Sequence, residues 1–180
     1  MRPFLILIFC FVISSYTIIS SEETGNHNIS ASEQSSGYSY KSDDEDSIIS
    51  EFETYFLVIA DTSLHYDFLH KKMTKLTTQI NIPIDTMGRY YNKTKDLIAL
   101  PDDAEDEIYA GDYFPKRIPT EQISLEYLNF YQEKSGVKTI ALVTGIYETE
   151  ADANNALLIL RKFEAKAFII KAEVYVGCMH

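Results

Sequence analysis

The chain has few of the residues that build zinc sites or disulfide-stapled domains. Its 180 residues include no tryptophan, two cysteines and four histidines. Cys10 lies in an apolar N-terminal run, so removal of that run would leave Cys178 as the single thiol and exclude an intramolecular disulfide. His65 and His70 are five positions apart and share no helix face well, which argues against a zinc site there. We therefore expect neither a metal nor a cofactor.

Basic residues are also scarce. The chain has 16 Lys and Arg against 27 Asp and Glu, and a formal net charge of -11. A nucleic-acid-binding surface needs a basic patch, so that class of function is excluded. Much of the acidic excess lies in residues 21–54, which contain nine acidic residues and one basic residue, Lys41. The remainder of the chain is only mildly acidic.

Motifs that mark common catalytic sites are missing. The sequence contains no nucleophile elbow, no phosphate-binding loop and no dinucleotide fingerprint. Its densest group of carboxylates is in residues 102–107, where five of six residues are acidic. Paired carboxylates can hydrolyse glycosidic bonds, but five adjacent acids repel one another and are typical of a solvated loop. We expect no catalytic residues, and a hydrolase that uses this loop is a third-ranked hypothesis.

The N-terminal region divides into two segments. Residues 1–20 contain Arg2, a short apolar core and a Ser/Thr-rich end, which is typical of a secretory signal peptide, with an uncleaved anchor as the alternative. Residues 21–53 are rich in Ser, acids and Asn, and cannot bury enough surface to offset the entropy of ordering. We predict a disordered tether there and one folded domain at 54–180.

Two segments of that domain show the same order of patterns. Residues 138–177 predict a strand, then a helix with apolar residues three and four apart, then a β-branched strand. Residues 55–91 predict strand, helix and strand again. Two such halves join into an α+β fold of the βαββαβ, ferredoxin-like type, an antiparallel sheet with two helices on one face.

An insertion, residues 92–137, separates the halves. A connection of this length without regular structure is usually functional or disordered, and its aromatic content argues against disorder. Residues 123–131 alternate well enough to predict a strand that turns back onto 138–145 as an extra hairpin. A short helix at 121–132 is the alternative.

Tyrosine is abundant, with 13 Tyr and 10 Phe. Its rigid ring and hydroxyl suit the recognition of carbohydrates or proteins. Several tyrosines are concentrated in the insertion and at strand ends, with arginines nearby. From these we select the candidate ligand-binding residues Arg89, Tyr91, Tyr109, Tyr113, Arg117 and Tyr147.

The second half also resembles a known family. Residues 142–147 form an apolar strand that reaches Gly145 and is followed two residues later by Tyr147; a helix rich in Ala and Leu and a closing strand at 167–170 come next. This order is similar to the half-repeat of the SPOR (sporulation-related repeat) domain. Residues 55–59 with the helix after them resemble the other half. The resemblance covers less than half of the chain.

The resemblance implies a βαββαβ fold, termed SPOR-like below, and binding to peptidoglycan glycan strands in the bacterial envelope. At two positions of the family's exposed sheet face, this chain has the apolar residues Val143 and Ile146. An export signal and a polar tether agree with the family's usual setting.

We therefore expect an exported, non-enzymatic protein that is periplasmic or associated with the cell envelope. Its expected partner is peptidoglycan glycan strands or an envelope protein, and it would contact a membrane only through an uncleaved N-terminal segment. The alternative is a secreted inhibitor or immunity-type protein that binds an envelope enzyme through residues 101–119.

Overall fold

The computed structural model describes residues 51–177. The predicted signal peptide, nearly all of the predicted tether, and Cys178 lie outside the described residues. The described elements are six strands and two α-helices, in the order β1 (Phe52–Ser63), α1 (Tyr66–Ile80), β2 (Tyr90–Asn92), β3 (Leu97–Ala99), β4 (Ser124–Tyr127), β5 (Ile140–Tyr147), α2 (Glu150–Leu160) and β6 (Phe168–Tyr175).

Four of the strands form one sheet, in the order β4-β5-β1-β6. Every neighbouring pair in it is antiparallel. The first and last long strands are adjacent, since Phe52 pairs with Tyr175 and Leu57 with Ile170. With its two helices this is an α+β, ferredoxin-like arrangement, so the predicted fold class is confirmed.

Both helices pack on the same face of the sheet. Each presents apolar residues at helical spacing, and full burial of one such side chain contributes about 2 kcal/mol. The core between helices and sheet includes Leu69, Met73 and Leu76 of α1, Ala153, Leu157 and Leu160 of α2, and Val58, Ala60 and Leu142 of the central strands.

The other face of the sheet is apolar as well. Leu57, Ile59 and Val143 each have no exposed surface, and Ile146 is 1% exposed. Two residues that follow β4, Leu128 and Tyr131, belong to the same cluster. Because Val143 and Ile146 are buried, a ligand does not reach the two positions at which the SPOR resemblance would place an exposed binding face.

The strand that completes the first half is not where the sequence predicted it. Of residues 84–91, Ile84 makes only a single parallel bridge, to Ile123. The end of that segment belongs to β2, which pairs with β3 in a separate two-stranded sheet. The edge strand of the main sheet is β4, which lies inside the predicted insertion 92–137.

The hairpin predicted from residues 123–131 is therefore part of the fold itself. Ser124 pairs with Val143 and Tyr127 with Ile140, so β4 turns back onto β5 as expected. The alternative helix at 121–132 is reduced to a 3₁₀ turn at Leu128–Phe130. Residues 81–123 join α1 to β4, and we call this segment the long connection.

The helix ends are set by local chemistry. Asn81 ends α1 in the left-handed conformation, with φ of 56°. At the start of α2, the Thr149 side chain accepts a hydrogen bond from the Asp152 backbone N–H, at 3.1 Å. Neither helix within residues 51–177 is long and apolar enough to cross a membrane.

Candidate functional site

An aromatic groove lies between the long connection and the turn that joins β4 to β5. Its volume is about 460 Å³, within the range of small-ligand sites. We call it the aromatic groove, and its lining residues are Asp96, Leu97, Ile108, Tyr109, Asp112, Tyr113, Tyr127, Asn129, Phe130, Val137 and Lys138.

Tyr113 is at the centre of the rings in this groove. Its ring centroid is 4.8 Å from that of Tyr127, edge-on at 79°, and 4.9 Å from that of Phe130. These are favourable aromatic geometries. Phe130 is 49% exposed, and the rim residues Ile108 and Val137 are 55% and 77% exposed. The groove therefore presents aromatic and aliphatic surface to solvent.

Polar groups surround that surface. Lys138 forms an ion pair with Asp96, and the Tyr91 hydroxyl donates to the same carboxylate. The hydrogen bond to Asp96 raises the pKa of Tyr91 to about 12, and the bond from Lys138 lowers the pKa of Asp96. The Tyr91 ring stacks on Tyr66, with centroids 4.3 Å apart and planes 7° apart. Asp112 supplies an exposed carboxylate, and Asn129 lines the groove with a carboxamide whose Oδ1 is buried and unpaired within residues 51–177.

A buried ion pair supports the groove from behind. The Arg89 guanidinium is bidentate on Glu126, with Nη2 to Oε1 at 2.6 Å and Nη1 to Oε2 at 3.0 Å. Glu126 has no exposed surface, and Arg89 is 4% exposed. The Tyr113 hydroxyl donates to Glu126 Oε2 at 2.7 Å, and the Arg89 guanidinium carbon is 5.0 Å from the centre of the Tyr113 ring. The pair thus fixes the ring at the centre of the groove.

The pKa values in this pair follow from burial and hydrogen bonding together. Burial acts to raise the pKa of Glu126, but the bonds from Arg89 outweigh it and hold the pKa below its ordinary value. For Arg89, burial acts to lower the pKa and the bonds to Glu126 raise it above its ordinary value. Burial, with the Glu126 charge, raises the pKa of Tyr113 well above its ordinary value. All three groups therefore keep their usual protonation state at neutral pH.

A second buried cation lies beside the first. Lys116 is 2% exposed, and its Nζ is 3.0 Å from the Asp85 carboxylate. The backbone N–H of Lys116 donates to Glu126, while its carbonyl accepts from the Tyr131 hydroxyl at 2.8 Å. The Tyr131 hydroxyl also lies 3.2 Å from Glu126. One carboxylate thus joins β4 to two separate parts of the long connection.

The structure brings together some of the predicted ligand-binding residues. Tyr109 and Tyr113 line the aromatic groove, and Tyr91 lies beside it through Asp96. Arg89 is in the layer behind the groove, paired with Glu126, and is not free to contact a ligand.

The remaining two predicted residues lie outside the groove lining. Arg117 is partly buried, with Nη1 buried and unpaired within residues 51–177. Tyr147 is 8% exposed and lines a different groove, on the helix side of the sheet.

Sequence reasoning missed several groups that shape the groove. Phe130, Asn129 and Lys138 come from the β4–β5 turn, which the sequence showed only as a hairpin. Glu126 was missed as well. In the alternating pattern from which the strand was predicted, Glu126 falls at a polar position, whereas the structure buries all four residues of β4. A buried carboxylate of this kind requires a cationic partner.

The acidic residues 102–107 do not form a catalytic constellation with the groove. All five acidic residues of this segment are exposed, and the Asp102 carboxylate forms an ion pair with Lys95. None of them lines the aromatic groove. Within residues 51–177 there is also no group of three or more His, Cys, Asp or Glu that could hold a metal ion.

Comparison with known proteins adds no assignment. No family model, curated protein or solved structure matches the chain.

Proposed function

We propose that this chain is an exported, non-enzymatic binding protein whose aromatic groove takes a peptidoglycan glycan strand. The observation that carries the proposal is the combination in one open groove of the exposed ring of Phe130 and the partly exposed ring of Tyr109 with the hydrogen-bonding groups of Asp112 and Asn129. Sugar rings stack on aromatic side chains through their apolar faces and present hydroxyls at their edges. Carboxylates and carboxamides are suited to bind those hydroxyls.

The proposal places the ligand away from the sheet face that the SPOR resemblance implies. That face is closed at Val143 and Ile146, whereas the groove made by the long connection is open. The Tyr113 ring is held before any ligand arrives, because its hydroxyl bonds to Glu126 and Arg89 lies over its face, and the Phe130 ring packs against it. A preorganised site loses less entropy when it binds.

Co-sedimentation with purified peptidoglycan sacculi tests the proposal. We expect the protein to pellet with sacculi, and Tyr109→Ala and Phe130→Ala each to weaken binding by about tenfold, as truncation of an aromatic anchor does. Phe163→Ala is the matched control, because Phe163 is 43% exposed but does not line the groove. Circular dichroism confirms that each variant is folded. A wild-type protein that stays in the supernatant would contradict glycan binding.

A second candidate function is inhibition of an envelope enzyme through residues 101–119. The observation that favours it is the exposure of large aliphatic residues in that segment, 55% for Ile108 and 69% for Ile118. Exposed apolar groups of this kind are typical of protein interfaces. Here the protein would slow the digestion of sacculi by a cell-wall hydrolase. Replacement of Ile118 by Asp would weaken that effect without lowering co-sedimentation, because Ile118 does not line the aromatic groove.

A further inference from the structure

A second groove lies on the helix side of the sheet, between the end of α1, the length of α2 and the end of β5. Its volume is about 540 Å³. We call it the helix-side groove, and its lining residues are Ile80, Asn81, Ile82, Glu121, Thr144, Tyr147, Asp152, Asn155, Ala156, Ile159 and Leu160. None of them lines the aromatic groove, so the two sites are separate.

Tyr147 is the polar group that the fold places in this groove without a partner. The side chain is 8% exposed, and its hydroxyl makes no hydrogen bond within residues 51–177. The hydroxyl oxygen is not one of the buried unpaired atoms of residues 51–177, so it is accessible from the groove that Tyr147 lines. Water or a ligand in the groove can therefore bond to it.

Gly145 positions that ring. A Cβ added at Gly145 would lie 2.7 Å from both Cε2 and the hydroxyl oxygen of Tyr147. The absence of a side chain at Gly145 therefore leaves room for the Tyr147 ring to lie back along the strand. The glycine and the aromatic two residues later thus act as one structural unit.

The charge around the groove has one sign. Glu121 and Asp152 contribute exposed carboxylates, while no Lys, Arg or His of the described residues lines the groove. Thr149 occupies one oxygen of Asp152, with Oγ1 to Oδ2 at 2.6 Å, so the other oxygen stays available. Glu121 makes only electrostatic contacts within residues 51–177.

The floor of the groove is apolar. Ile80, Ile82 and Leu160 line it together with Ala156, and Ile159 is 53% exposed at its edge. A ligand that fits this site carries an apolar body for the floor and a positive charge for the two carboxylates. A simple inorganic cation would leave the apolar floor uncovered, and an anion would be repelled.

We propose that the helix-side groove binds an organic ammonium ion. The charged head of this ion lies between Glu121 and Asp152 and donates a hydrogen bond to the Tyr147 hydroxyl. Its hydrocarbon part covers the aliphatic floor. The ammonium group has three donors and no acceptor. It therefore matches a set of two carboxylates and one hydroxyl oxygen, all of which accept.

Titration of the full chain with phenethylammonium, followed by calorimetry and amide NMR shifts, tests this inference. We expect phenethylammonium to bind about tenfold more tightly than phenethyl alcohol, which has the same body without the charge, because charge-assisted hydrogen bonds are the stronger kind. Shifts should be concentrated in α2 and at Tyr147. Glu121→Gln and Asp152→Asn should each weaken the binding by up to about fivefold.

Two further variants separate the site from general charge effects. Tyr147→Phe keeps the ring but removes the hydroxyl, and should weaken phenethylammonium binding by about fivefold. Glu133→Gln removes an exposed acid that does not line the groove, and should leave binding unchanged. Equal affinity for the amine and the alcohol, full affinity in Glu121→Gln and Asp152→Asn, or no detectable binding would each overturn the inference. Sacculus binding is read separately and is independent of all three outcomes.

Discussion

The buried carboxylate of Glu126 gives the sharpest test of how this domain is held together. Its two oxygens accept from five donors: two nitrogens of Arg89, the hydroxyls of Tyr113 and Tyr131, and the backbone N–H of Lys116. Glu126→Gln removes the charge and replaces one acceptor with an amide that itself donates. Donors would then face a donor at a side chain that has no exposed surface.

We expect Glu126→Gln to lower the free energy of unfolding by about 3–5 kcal/mol, the usual cost of leaving a buried charge without its partner. That is a large share of the roughly 5–15 kcal/mol by which a typical domain is stable. Urea unfolding followed by circular dichroism and tyrosine fluorescence measures it, with the midpoint and slope fitted separately. Asp102→Asn is the matched control, because its pair with Lys95 is exposed and its loss should leave the midpoint unchanged.

The double variant Arg89→Met with Glu126→Leu separates the pair from its surroundings. Replacing both charges by apolar groups of similar volume should recover part of the stability, because no buried charge is then left unpaired. The recovery is partial, since the Tyr113 hydroxyl and the Lys116 backbone N–H lose their acceptor. A change below about 1 kcal/mol in Glu126→Gln, or a double variant less stable than it, would refute this reasoning.

The pH dependence provides a second readout of the same group. The pKa of Glu126 is lower in the folded state than its ordinary value of 4.5. A lowered pKa means that its contribution to stability is present above about pH 4.5 and is lost as pH falls through the folded value. Glu126→Gln should therefore have a flatter loss of stability in acid than the wild type.

Three further predictions concern other parts of the domain. Burial raises the pKa of Tyr147 to about 12 and those of Tyr113 and Tyr131 well above 10. Their contribution to the free energy of unfolding is therefore fully present below pH 10 and should be lost as the pH rises above it. An absorbance titration should show a fraction of the tyrosines that ionises only on unfolding. Gly145→Ala should lower the free energy of unfolding by about 1–3 kcal/mol through its clash with Tyr147, and an unchanged urea midpoint would show that the ring moves freely. Thr149→Ala removes the cap of α2 and should cost about 1 kcal/mol, whereas Thr149→Ser should keep nearly all of it.

The overall fold was predictable because its evidence is local. The strand, helix and strand of residues 138–177 are contiguous, and each carries its own period of apolar residues. Both helices and the strands β1, β5 and β6 appear where those patterns placed them.

The edge strand was misplaced because its evidence is not local. Residues 84–91 look extended and follow α1 closely in the sequence, so they were predicted to be the next strand of the sheet. The edge strand is instead β4, which follows α1 after a connection of about 40 residues. Connections between neighbouring elements are usually far shorter. Within β4, Glu126 falls at a polar position of the alternating pattern but is buried, since its partner Arg89 comes from a distant part of the chain.

The candidate site was predictable only in part for the same reason. The tyrosines indicated a recognition surface, and Tyr109 and Tyr113 do line one groove. Whether a cation is on the surface or inside depends on which carboxylate the folded chain brings to it. No periodicity shows that Arg89 and Lys116 are held in the interior by Glu126 and Asp85.

The strand order also determines when the chain is able to fold. The central strand β1 is the first of the described strands to be made, yet its two neighbours in the sheet are β5 and β6, the last two strands of residues 51–177. Closing contacts between such distant segments is slow, because the loop entropy is lost before the contacts form. Nascent chains that lack residues 168–175 have no partner for one side of β1. The sheet therefore closes only after residues 168–175 have been made.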